Sequence, residues 1–149
     1  MAPFIALSSL FLVLAGLGAV GVHALAGWYT PLRFALAGMF LLTASAHWGK
    51  RRPDLVRMVP PVFPRPDLIV TLTGVLEIVG AVGLMLPRFA ALAAGGLSLL
   101  LLALFPANVH AARAGVTIAG RPATALGPRT LLQLVFLGAT LAVALGTPG

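Results

Sequence analysis

The sequence predicts an all-α protein, a polytopic bundle of transmembrane helices. Three observations carry that prediction. Of the 149 residues, 60% are apolar and only 9% charged, too little charge to cover the surface of a water-soluble domain of this length. The apolar residues gather into runs that approach the roughly 20 residues needed to cross a bilayer. The basic residues gather in the stretches between those runs, as expected of loops on one face of a membrane.

The first element covers about residues 4–25, interrupted by two serines and His23. The small residues at Ala24 to Ala26 resemble a signal-peptide cleavage site. No positively charged segment precedes the apolar core, however, and the core exceeds the usual length of about 7–15 residues, so a retained helix is expected. The second run is the shortest, because only Phe34 to Ala46 is apolar, too few residues to cross alone. A helix over residues 31–48 therefore takes polar groups with it: Arg33 snorkels at one end, and His47 and Trp48 sink at the other. Residues 67–86, 89–108 and 129–146 complete five helices. Residues 49–66 and 109–128 connect them as loops, and residues 1–149 form a single membrane domain.

The net charge of +7 could suggest nucleic acid until the charges are placed. Lys50, Arg51, Arg52, Arg57 and Arg65 lie in the first loop, and Arg113, Arg121 and Arg129 around the second, leaving Arg33 and Arg88 for the opposite side. This positive-inside pattern puts the N-terminus and both basic loops in the cytoplasm and the C-terminus outside. Topology and anionic lipid headgroups then account for the charge, and no nucleic-acid partner is expected. The absence of cysteine removes disulfides, thiolate catalysis and cysteine-ligated clusters. Electron chemistry would have to come from a bound cofactor or another subunit.

One acidic residue falls inside an apolar run. Glu77 lies about ten residues into the third helix, where an isolated carboxylate would lose several kcal/mol of solvation, so it must be protonated, paired or wet. At 100° per residue Thr73, Glu77, Gly80 and Leu84 share one face, and the glycine lets a neighbouring backbone approach beside the acid. That face should turn inward. Arg33, Phe40, Thr43 and His47 form a similar stripe on the second helix, and Arg129, Gln133, Phe136 and Thr140 another on the last.

Two further stretches stand at the cytoplasmic side. "MVPPVFPRP", Met58 to Pro66, carries four prolines and so few amide donors, which suits a loop resting as a lid over the end of the bundle. In "FPANVH", Phe105 to His110, Pro106 cannot donate to the carbonyl of Leu102, which predicts a loosened helix end with a free carbonyl. Asn108 and His110 follow within a turn and are expected near the level of His47. Glu77 is expected deeper by about 15 Å if the helices are straight.

"GMFLLTASAHW", "MVPPVFPRP", "TGVLEIVGAVGLMLP", "FPANVH" and "GPRTLLQ" follow in an order that resembles the DoxX-like family of small integral membrane proteins, over about residues 34–144. The resemblance is most specific at Thr73-Gly74-x-x-Glu77-x-x-Gly80-x-x-Gly83-Leu84 and Phe105-Pro106-Ala107-Asn108. It implies a four-helix core, to which residues 4–25 add one N-terminal helix. It also implies a bacterial-type inner (cytoplasmic) membrane, a quinone or lipid-like ligand, and His47, Glu77 and Asn108 as the positions matching the family's polar residues.

The expected function is an accessory subunit that binds a quinone or other apolar small molecule and docks a redox enzyme through its cytoplasmic face, rather than a stand-alone enzyme. The ligand-binding or proton-active candidates are Glu77, His47, Asn108, Thr73, His110 and Gln133, with no metal site. A haem between His47 and His110 is disfavoured, since nothing beyond the two imidazoles points to one. Alternatives are a proton-coupled small-molecule transporter titrating at Glu77, which with so few passes would act as a homo-oligomer, and a purely structural subunit in which Glu77 locks helices together. A membrane enzyme with Glu77 as general acid and His47 beside it would need the two within hydrogen-bond reach, which the difference in depth opposes.

Overall fold

The computed structural model of the chain describes residues 1–118, 120–122 and 124–146. It is all-α apart from one tiny hairpin. The helices are α1 (Ala2–Ala19), α2 (Tyr29–Ser45), α3 (Arg52–Met58), α4 (Pro66–Met85), α5 (Ala90–Arg113) and α6 (Leu126–Leu145). Two-residue strands β1 (Thr117–Ile118) and β2 (Arg121–Pro122) pair antiparallel between α5 and α6.

Proline helps to set where these helices start. Pro3, Pro31, Pro53, Pro66 and Pro128 fall in the first turns of α1, α2, α3, α4 and α6, where the missing amide hydrogen would have had no intrahelical partner anyway. Asp54 and Asp67 add negative charge to the first turns of α3 and α4, where the exposed amides favour it. The α1–α2 connection reverses through Gly21 and Gly27, whose φ angles of 110° and 78° are left-handed and suit residues without a Cβ.

α2, α4, α5 and α6 form a four-helix core in which α2 packs on α4, α4 on α5, α5 on α6 and α6 back on α2, while α1 packs on α2 from outside. Cross-helix contacts run in opposite order along the two sequences: Thr43 meets Glu77 and His47 meets Val70; Gly80 meets Leu97 and Gly83 meets Ala93; Ser98 meets Thr140 and Asn108 meets Gln133. Neighbouring core helices are therefore antiparallel. Leu36, Met39, Leu84, Leu97 and Val143 fill the centre. Leu12, Val79, Leu92, Leu99 and Leu134 stand exposed, which suits a hydrocarbon solvent and would be a liability in water.

α1, α4, α5 and α6 are long and apolar enough to cross a membrane. α2, at 17 residues, is the short one, as its apolar run foretold. α1 buries only Leu7, as befits an added peripheral helix.

The structure corrects the expected connections. The 49–66 stretch contains α3, whose Met58 is buried and which rests on α4 and α5. The proline-rich stretch does not fold over as a lid: Pro61 to Arg65 are exposed, and α3 is the piece laid against the bundle. The first helix ends at Ala19, followed by a 3-10 turn at His23–Leu25. Pro106 does not loosen the end of its helix, because α5 continues through it to Arg113, taking His110 with it. Residues 119 and 123 of the 109–128 stretch lie outside the described residues.

Candidate functional site

α4 turns Gly74, Glu77, Gly80, Ala81 and Leu84 inward, the face that the 100° spacing predicted, with half-buried Thr73 at its edge. Across from it, α2 offers Thr43, and the turn following α2 offers His47. A Cβ on Gly74 would lie 2.7 Å from His47 Cβ and Cγ and 2.8 Å from the Trp48 ring. Only glycine allows the His47 backbone and ring to come this close.

The outcome is a buried carboxyl–imidazole pair. Glu77 is 6% exposed and His47 7%, and His47 Nε2 stands 3.6 Å from Glu77 Oε2. The expected 15 Å difference in depth is overturned. It presumed that α4 begins at the level where α2 ends, whereas α4 runs about two turns, residues 66–73, before it passes His47, leaving Glu77 one turn further in. His47 is buried inside the bundle.

The hydrogen bonds dictate what this pair can do. His47 Nδ1 is 2.6 Å from the carbonyl of Val70; a carbonyl only accepts, so Nδ1 carries the hydrogen and Nε2 is the nitrogen left to face Glu77. Thr43 Oγ1 lies 2.9 Å from Glu77 Oε2 and 3.0 Å from the carbonyl of Phe40, yet it has a single hydrogen. If Thr43 donates to Phe40, a protonated Glu77 can donate to Thr43; if Thr43 donates to Glu77, the acid can be ionised beside a protonated His47. One proton can therefore sit on either partner with no heavy atom displaced. Thr73 Oγ1 donates within its own helix and lies 3.5 Å from His47 Nδ1.

Arg52, absent from the residues singled out by sequence, clamps this site to the end of the bundle. From the first turn of α3 its Nη1 donates to the His47 carbonyl at 2.8 Å, and its Nη2 donates to Thr71 Oγ1 at 2.9 Å and to the Asp67 carbonyl at 3.1 Å. A fork of donors from α3 thus fastens the end of α2 to the start of α4. Its only sequence signal was its place beside a proline and an acid at a helix start.

Asn108 and Gln133 form a separate cluster between α5 and α6. Gln133 Nε2 donates to the Leu101 carbonyl at 2.5 Å, its Oε1 accepts from Asn108 Nδ2 at 3.3 Å, and Asn108 Oδ1 accepts from Arg129 Nη1 at 2.8 Å. This bond falls on the Leu101 carbonyl, not on the Leu102 carbonyl that Pro106 deprives of its helical donor. Deeper along the same interface Ser98 Oγ lies 2.8 Å from Thr140 Oγ1. His110 is half-buried and makes no side-chain hydrogen bond among the described residues, and none joins the Asn108 cluster to His47 and Glu77.

Neither polar cluster lines the apolar cavity between α4 and α5. That cavity is a groove of about 440 Å³ between α4 and α5, walled by Leu76, Val79, Val82, Leu86, Phe89 and Leu92 and floored by Gly80, Gly83, Gly96 and Leu97. Every lining side chain is apolar, the walls are exposed and the groove opens away from the bundle axis. Its size falls among ligand sites, which span about 300–1,000 Å³. Among the described residues no group of histidine, cysteine, aspartate or glutamate could hold a metal ion.

Residues 36–144 match a protein family described as a domain of unknown function, DUF8561. No curated protein and no solved structure matches the chain.

Proposed function

The chain belongs to the DUF8561 family, and from that premise, which brings no activity with it, we propose that it is a membrane-embedded accessory subunit that binds an apolar small molecule of the quinone or lipid class. The observation that carries this reading is the wholly apolar groove between α4 and α5. Its glycine floor admits a flat ring or a linear chain, and its open side gives access from the hydrocarbon. The cysteine-free sequence has no thiol electron carriers of its own, and the resemblance to DoxX-like proteins suggests a redox enzyme as the partner. Lys50, Arg51, Arg57 and Arg65 are exposed at the α3 end and offer that enzyme a basic docking face. By the positive-inside rule this end and the N-terminus are cytoplasmic, in an inner membrane of bacterial type.

Mass spectrometry of molecules retained in mild detergent tests the reading. Gly96→Leu serves as the variant, because no atom stands within 4 Å of a Cβ built there and the leucine fills the groove. A quinone-class or lipid-like molecule enriched on the native chain and depleted on Gly96→Leu is expected. No enrichment over a control membrane protein would refute it.

The Glu77–His47 contact favours one second reading, proton-coupled transport, in which the pair holds and passes the proton. Substrate flux in liposomes that is unchanged by Glu77→Gln would exclude it.

A further inference from the structure

At the opposite end of the bundle from α3, the N-terminal turns of α2 hold a cation without an anion. Arg33 is 5% exposed, and its Nε is buried with no hydrogen-bond partner. Its guanidinium makes no hydrogen bond or ion pair among the described residues. It rests 5.9 Å from the Tyr29 ring centre and 5.3 Å from that of Phe34. Aromatic faces attract a guanidinium but do not replace a counter-ion.

The chain has three acidic residues, and all are committed elsewhere. Asp54 pairs with Arg57 on α3, Asp67 lies by Arg52 at the start of α4, and Glu77 meets Thr43 and His47. The helix itself adds to the imbalance. α2 starts at Trp28 with no side-chain cap, so the free amides of its first turn present about half a positive charge. Arg33 leans back over Tyr29, one turn nearer that same end, as side chains on a helix do. Two positive features therefore converge at an end of the bundle where no acidic side chain stands. Exposed Trp28 meets the buried Tyr29 edge to face at 5.6 Å, and tryptophan is enriched at the headgroup level of a bilayer.

We infer that Arg33 and the uncapped amides of α2 form a binding site for a phosphate group, supplied by the headgroup of a phospholipid. The planar guanidinium suits two phosphate oxygens, the helix terminus suits a third, and the exposed Trp28 suits headgroup depth. Free inorganic phosphate shares this chemistry and is the alternative source.

The test uses the full chain, delipidated in a non-ionic detergent, with thermal unfolding followed against three additives: a short-chain phosphatidylglycerol, a glycolipid with the same chains but no phosphate, and inorganic phosphate. The phospholipid should raise the midpoint and the glycolipid should not. Arg33→Gln should weaken the apparent affinity by roughly tenfold to a hundredfold, the range for bonds to a charged group. Arg33→Lys should fall between, and Arg88→Gln should match the native chain. A shift with inorganic phosphate that Arg33→Gln loses would uphold the site and assign it to the free ion. Equal stabilisation by the glycolipid, an unchanged response in Arg33→Gln, or no response in the native chain would overturn the inference. If Arg33→Gln fails to fold, the glycolipid comparison and Arg33→Lys decide it.

Discussion

Gly74→Ala is the sharpest test of how α2 and α4 meet. The added methyl would lie 2.7 Å from His47 Cβ and Cγ, atoms next to the backbone that cannot swing aside as a side-chain tip can. Either the turn after α2 retreats or the ring leaves its place over Val70 and Glu77. Overpacking of this kind destabilises by about 1–3 kcal/mol. Replacing glycine in a helix also brings a propensity gain of up to about 1 kcal/mol, which would mask part of the loss. Gly95→Ala supplies the reference, because no atom lies within 4 Å of its Cβ and it carries the same propensity gain. The difference between the two variants therefore isolates packing, and Gly74→Ala should be the less stable by about 1–3 kcal/mol. In a chain of this size that is about 2–12 °C in the unfolding midpoint, measured by circular dichroism in detergent. If Gly74→Ala unfolds at or above the midpoint of Gly95→Ala, the close approach of His47 to α4 is wrong.

Thr43→Val removes the hydroxyl beside Glu77 and should destabilise by about 0.6 kcal/mol and no more than about 1.7, the range for interhelical bonds in membranes; a double-mutant cycle with Glu77→Gln should show most of that as coupling between the pair. Gln133→Leu leaves the Asn108 amide and the Leu101 carbonyl without their partner and should lose about 1–3 kcal/mol, read by denaturant unfolding in mixed micelles. Arg52→Ala should release α3 while leaving the bundle folded, seen as faster hydrogen exchange in residues 52–58 with protection in α4 and α5 retained.

What the sequence disclosed follows from periodicity. Glu77, Gly80 and Leu84 point inward because residues three and four apart share a helical face, and the same rule placed Arg33, Phe40 and His47, and likewise Gln133 and Thr140, on buried stripes. Periodicity does not carry the offset of one helix against another. That is why the 3.6 Å meeting of His47 with Glu77 was not foreseen, although each residue was singled out. α3 escaped notice because seven residues are too few to show a period, and its start lay in a loop-like cluster of charge and proline. Pro106 misled because one missing bond was taken to end the helix, whereas α5 carries it as an interior proline and runs on to Arg113.

The two polar clusters divide the core unevenly. Side-chain bonds latch α2 to α4 and α5 to α6, but among the described residues none crosses from α4 to α5, where glycine, alanine and leucine meet dry. The bundle is thus two fastened halves joined along a greasy seam, and the groove runs down that seam. A guest wedging in there would pry the halves apart without undoing either latch.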